Sequence, residues 1–153
     1  MSGVTATCGK TCCGKSRYAK ELQQTSGGVI LSCDELTLLY PRADHDRLLP
    51  LVKRYLLKKS LEITAAGADV ILDWGLWQRA ERDELRSFYK AHGVPFRIVY
   101  LEVSDERRSE FIARRNAAVE SGEVQAYIID EGLEEKLNSL FEPPTDDECV
   151  VRM

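Results

Sequence analysis

Gly9-Lys10-Thr11-Cys12-Cys13-Gly14-Lys15-Ser16 is entered from the short apolar run Val4–Cys8 and left through a helical pattern that extends to Gln24. Gly9, Gly14, Lys15 and Ser16 match the spacing G-x-x-x-x-G-K-[ST], and that spacing has a physical cause. Glycines let the main chain wrap closely around an anion. Successive N–H groups then point inward at a helix N-terminus, whose dipole favours negative charge. Lys15 adds a mobile positive charge for the outer phosphates, and the Ser16 hydroxyl is placed to ligate a magnesium ion bridging them. A chance match arises in roughly one per cent of chains of average composition. Since this match also lies between a strand and a helix, an ordinary glycine turn is set aside. The loop from Gly9 through Lys10, Thr11, Cys12, Cys13 and Gly14 to Lys15 and Ser16 is therefore the expected cradle for a nucleotide's phosphates. Lys10 suggests no further role. Cys12 and Cys13 read as small filler, with redox sensitivity beside a lysine and a helix start as the alternative.

Outward from the loop, apolar runs alternate with helical patterns. Gly27-Gly28 ends the first helix, and residues 28–33, centred on Val29-Ile30-Leu31, read as a second strand. Leu48, Leu49, Val52, Leu56, Leu57 and Ile63 recur at helical spacing through residues 46–66, with Gly67 as the stop. Residues 68–73 form a buried strand ending in an acid, and residues 78–92 an amphipathic helix closed by Gly93 and Pro95. Residues 96–101 are the fourth strand, and Ser104 opens another helix with an acidic first turn. After Asn116 the chain turns small and polar through Gly122, which reads as a mobile segment. A helix over 130–141, the pair Pro143-Pro144 and a short strand near Cys149-Val150-Val151 complete the pattern. Such alternation predicts one α/β domain over 1–153: a parallel sheet with right-handed crossovers and helices on both faces. Ligands in such folds bind beyond the carboxyl ends of the strands.

Acids stand at those ends. Asp34 follows the second strand, where phosphoryl transfer to a hydroxyl wants a carboxylate to orient the acceptor and take its proton; a helix N-cap is the plainer duty. Asp73 closes Val70-Ile71-Leu72 and is the candidate for holding metal-bound water or substrate, against a turn cap. Trp74 and Trp77 either wall an acceptor pocket or pack in the core. Arg79 either holds substrate or is a solvated helix residue. Arg107, Arg108, Arg114 and Arg115 ride on the helix after the fourth strand. Arginine forks suit phosphate oxygens, so Arg115 first and Arg108 second are candidates for stabilising charge in the transfer, with surface ion pairs as the alternative. The polar stretch 117–125 is the candidate edge of a short closing lid.

Composition narrows the partners. A net charge of −4 argues against a broad nucleic-acid-binding surface, though not against a local basic channel. No apolar run approaches a membrane span, and the first residues lack a basic-then-apolar leader pattern. Five cysteines, two of them adjacent, make reduced thiols in a cytoplasmic protein the expected state.

These residues resemble a family of small P-loop kinases that groups zeta toxin, chloramphenicol phosphotransferase and the kinase domain of phage polynucleotide kinase. The likeness rests on GKTCCGKS, LSCDEL, VILDWGLWQRAERDELR, FIARRNAA and FEPPTDDE, which together span nearly the whole chain. It implies a three-layer P-loop NTPase fold, with a five-stranded parallel sheet in order 2-3-1-4-5 and a short helical lid. It also implies ATP with magnesium as cofactors and transfer of the γ-phosphate to a hydroxyl of a small molecule. Asp34 as base and Arg115 as lid arginine follow from it. Phosphorylation of nucleic-acid 5′ ends is the less favoured alternative, and a regulatory ATPase without an acceptor is another. The paired loop cysteines depart from the family's pattern.

Overall fold

A computed structural model describes residues 2–10, 12–123 and 131–153. Thr11 of the glycine loop, residues 124 and 125 of the polar stretch and the start of the predicted helix at Asp130 lie outside the described residues. The chain runs β1 (Val4–Cys8), α1 (Lys15–Ser26), β2 (Val29–Leu31), α2 (Cys33–Thr37), α3 (His45–Ala65), β3 (Val70–Leu72), α4 (Arg79–Ala91), β4 (Phe96–Tyr100), α5 (Asp105–Glu120), α6 (Glu131–Leu140) and β5 (Val151–Arg152).

Every strand pairing is parallel, and the sheet order is β2-β3-β1-β4-β5, as expected. The register sets Val4 against both Val70 and Phe96, so β1 is the central strand. Right-handed crossovers then put α1, whose connection runs one way along the sheet, opposite α3 and α4, whose connections run the other way. Sandwiched strands read as continuous apolar runs. Val70, Ile71 and Leu72 are accordingly at most 1% exposed. Thr7 in β1 is polar yet fully buried, and its Oγ1 donates to the Trp74 carbonyl at 2.8 Å.

The α4 helix turns Arg82, Leu85 and Tyr89 inward at helical spacing. Tyr89 stacks on Phe96 at 4.9 Å between ring centroids, and its hydroxyl is hydrogen-bonded to Ser60 on α3 at 2.8 Å. One boundary differs in substance from the sequence reading. The α5 helix continues past Asn116 to Glu120, carried by Ala117, Ala118 and Val119, and its chain reversal comes at Gly122, φ +81°. Alanine's helix propensity outweighs the polar look of the segment. Residues 117–120 therefore belong to the helix and not to a loose lid.

Candidate active site

The phosphate loop is tied down at both ends. The Gly9 N–H donates to the carbonyl of Gly75 at 3.0 Å, which fastens the loop to the turn after β3. Gly14 takes φ +95°, a left-handed conformation that a side chain would strain, and starts α1. A Cβ on Gly9 would lie 2.8 Å from the Leu101 carbonyl oxygen and 2.5 Å from the Cys13 sulfur, so the position admits only glycine without rearrangement. Lys15 Nζ donates to the carbonyls of Gly9 (2.9 Å) and Lys10 (2.6 Å), which places its charge across the mouth of the loop.

Ser16 and Asp73, 57 residues apart in the chain, meet here: Ser16 Oγ donates to Asp73 Oδ2 at 2.8 Å. Asp73 is held by its own N–H on the Leu31 carbonyl at 3.2 Å. Burial pushes its carboxyl above the usual range. The Ser16 hydrogen bond and the Lys15 charge oppose that rise, and the neighbouring Asp34 charge adds to it. A hydroxyl and a costly buried carboxylate form a hard, oxygen-only donor pair. Magnesium is commonly held by one or two carboxylates with substrate phosphates and water completing its shell. The Ser16 hydroxyl and the Asp73 carboxylate, 2.8 Å apart, fit this phosphate-shared mode.

Asp34 is the second residue of α2, exposed, and the N-cap position belongs to Ser32. Capping is therefore not its task, and its charge is felt at Asp73. Arg115 Nη1 lies 3.6 Å from the Cys12 sulfur, which brings the favoured lid arginine onto the loop. Arg108, 3% exposed, pairs instead with Asp105 at 3.1 Å, and Asp105 also lies 3.8 Å from Lys10. The Arg108 hydrogen bond and the Lys10 charge hold the Asp105 carboxyl below its usual range.

The tryptophans and Arg79 have other occupations. Trp74 belongs to the hydrophobic core and Trp77 packs against it, so neither ring stands open as a pocket wall. Arg79 makes a two-pronged pair with Asp147 at 2.7 and 3.2 Å and also reaches Asp83 and Thr145; these acidic neighbours occupy the guanidinium expected to meet substrate.

Sequence reasoning missed the clamp behind the site. Arg82 is wholly buried, and its guanidinium donates to Glu148 Oε1 (2.8 Å), Glu148 Oε2 (3.0 Å) and the Leu76 carbonyl (2.9 Å). Leu76 has φ +48°, an unfavourable left-handed conformation for leucine, and its carbonyl also accepts from the Cys8 thiol at 3.5 Å. Glu148 further accepts from the Thr145 N–H and from Arg86. The late Pro143-to-Glu148 stretch thus locks the turn that carries Trp74 to Trp77 behind the loop. A buried arginine on an otherwise apolar helix face was the available signal. On the other side of the loop, Lys10, Cys13, Tyr100 and residues 101–105 enclose a cavity of about 350 Å³ with Pro143 and Arg152.

A strand, a glycine loop carrying lysine and serine, a helix, and an aspartate at the adjacent strand end bonded to that serine define a P-loop protein of kinase-like fold. The AAA domain family profile matches residues 4–138, and the chain belongs to that family. Similar folds include a gluconokinase from Sinorhizobium meliloti 1021 (TM-score 0.67, 18% identity, 98% of this chain and 81% of that one). The Mycobacterium tuberculosis APS kinase, solved with AMPPNP and APS, is similar at TM-score 0.70 and 15% identity, covering 99% of this chain and 87% of that one. Chaetomium thermophilum Kti12, solved with ADP-AlF3, is similar at TM-score 0.68 and 15% identity, covering 98% and 88%. No curated protein sequence matches the chain significantly. Among the described residues no helix is long and apolar enough to cross a membrane.

Proposed function

We propose that the protein is an ATP-dependent phosphotransferase that moves the γ-phosphate to a hydroxyl group of a small molecule. The observation that carries this reading is the Ser16–Asp73 hydrogen bond at the mouth of the glycine loop, with the Asp34 charge acting on Asp73. The loop N–H groups and Lys15 bind the phosphates, and Ser16 and Asp73 are the residues that would hold a magnesium ion, whose charge would offset that of the phosphates. Asp34 orients the acceptor hydroxyl and takes its proton as the oxygen bonds to the γ-phosphorus and ADP leaves with the electrons of the broken bond. Arg115, already against the loop at Cys12, meets the charge that builds on the transferring group. The cavity beside Pro143 is where the nucleoside base is expected. Support for ATP and for a small acceptor comes from the resemblance to kinases, among them the one solved with AMPPNP and APS.

Calorimetry with ATP and magnesium, then a screen of hydroxyl-bearing compounds for ADP release, tests the proposal. Lys15→Ala is the blank: its affinity for ATP drops by about 100-fold or more, the worth of two charge-assisted hydrogen bonds to phosphate. Arg115→Ala keeps nucleotide binding and loses about 10²- to 10³-fold in kcat, as expected for a donor that acts on developing charge. A well-folded parent protein that takes up no nucleoside triphosphate ends the proposal.

A further inference from the structure

The five cysteines stand in different settings, and one of them is more than a space-filler. Cys8 and Cys33 are buried, and burial pushes their thiols up to about 11 and about 12. Cys13 is 5% exposed; its sulfur accepts from Lys15 Nζ at 3.7 Å and crowds Gly9, where a Cβ would lie 2.5 Å from it. Cys149 is exposed, just before β5. Cys12 is the partly exposed thiol of the phosphate loop, and its sulfur accepts from Arg115 Nη1 at 3.6 Å.

Backbone, partner and charge all set Cys12 apart. Its φ is +57°, a left-handed conformation in which glycine is at ease and a side chain is not, so a mere filler would be glycine. Its sulfur is met by a guanidinium from α5, 103 residues along the chain. The adjacent thiol, Cys13, has its own cation in Lys15, and Lys10 lies on the same loop, 3.8 Å from Asp105. Two neighbouring sulfurs, each taking a hydrogen bond from a cation, thus stand where phosphate is to bind. Reactive cysteines occupy such electropositive, partly open settings, whereas buried structural ones are inert.

We propose that Cys12 is a reversible modification site for an acidic low-molecular-weight disulfide of the glutathione type, and that the adduct closes the nucleotide site. Cys12 gives its proton to solvent and its sulfur attacks one sulfur of the disulfide. The S–S bond breaks, a mixed disulfide forms on Cys12, and the other half leaves as a thiolate that takes up a proton. The disulfide is the oxidant, and its departing half is the reduced product. Carboxylates on the reagent are drawn by Arg115, Lys15 and Lys10, the cations that serve the phosphates. The adduct then stands between the loop and Arg115 and takes the room that a triphosphate needs. This rests on the nucleotide-binding part of the reading above and adds a control to that site.

ATP–magnesium affinity of the reduced protein is measured first by calorimetry; its absence overturns the phosphotransferase reading, while adduct mapping still judges the thiol site. The protein is then exposed to glutathione disulfide or to cystamine, a disulfide of opposite charge, and adducts on each cysteine are counted by peptide mass. Cys12 is expected to react first, Cys149 more slowly, and Cys8 and Cys33 not at all in the folded protein. Measured against Cys149, a plain exposed thiol, Cys12 favours glutathione disulfide over cystamine by about ten-fold or more. The adduct lowers ATP affinity about ten-fold or more, the worth of one charge-assisted hydrogen bond to phosphate, and dithiothreitol restores it. Cys149→Ser keeps this response. Cys12→Ser loses it, treated compared with untreated in the same variant and the melting curve as folding control. Reaction at Cys149 ahead of Cys12, equal rates with the two disulfides, or a Cys12 adduct that leaves ATP affinity unchanged overturns the proposal.

Discussion

Asp34→Asn protein is expected to bind ATP and magnesium as the parent does and to lose phosphoryl transfer by a factor of about 10² to 10⁴, the usual worth of a positioned general base. Asparagine keeps the size and the polar contact of the side chain but cannot accept the acceptor's proton. The residue is exposed in the first turn of α2, where Ser32 already holds the cap position, so the substitution removes no fold-bearing hydrogen bond described for it. The fall therefore appears in kcat and not in the melting temperature. The measurement pairs calorimetry for ATP with ADP release under saturating acceptor. Equal turnover in parent and variant would remove Asp34 from the chemistry and leave a nucleotide-hydrolysing module as the better description.

Glu148→Ala is expected to destabilise the fold by about 3–5 kcal/mol, because it leaves the Arg82 charge buried without its partner. For a domain of this length that corresponds to a loss of about 6 to 20 °C in Tm. Both oxygens of Glu148 hold the Arg82 guanidinium, and the same guanidinium holds the carbonyl of the left-handed Leu76. Losing Glu148 therefore loosens the turn that carries Trp74 and Trp77, and nucleotide binding weakens with it, since Gly9 hangs from Gly75 in that turn. Substituting Asp147 instead, whose partner Arg79 is far more exposed, changes stability little. The clamp also sets an acid limit. Arg82 holds the Glu148 carboxyl down, from its ordinary 4.5 to about 2. A depressed folded-state value means that the stabilisation is complete above about pH 4.5 and is lost as pH falls through about 2. Denaturant midpoints taken from pH 6 to pH 2 read this directly. The parent's should fall across that window, and the variant's should fall less.

Legibility in the sequence followed the range of the interactions. The glycine loop, its lysine and serine, and the acids Asp34 and Asp73 were readable because each rests on local geometry. A strand running into glycines makes an anion nest, and an apolar run ending in an acid puts a carboxylate at a sheet's edge. Sheet order needed the family resemblance, and the β2-β3-β1-β4-β5 sheet agrees with it. The end of α5 was misread because the small, polar look of the segment after Asn116 was weighted over its helix-forming alanines.

Arg79 and Arg82 show the limit most clearly. They are three residues apart on one helix, and the sequence singled out the one that ends on the surface with Asp147. The one at the heart of the fold, Arg82, shares the apolar face of Leu85 and Tyr89, but what it pairs with is not readable until Glu148, 66 residues later, comes to rest against it. Lys53 and Glu81, 28 residues apart on different helices, are the same case. Periodicity and turn chemistry act over a few residues, and so does a phosphate loop, so the chain's own order specifies them. Which charges become partners depends on how α3, α4 and the last turn pack across the sheet, and only the folded arrangement, through burial and distance, assigns those pairs.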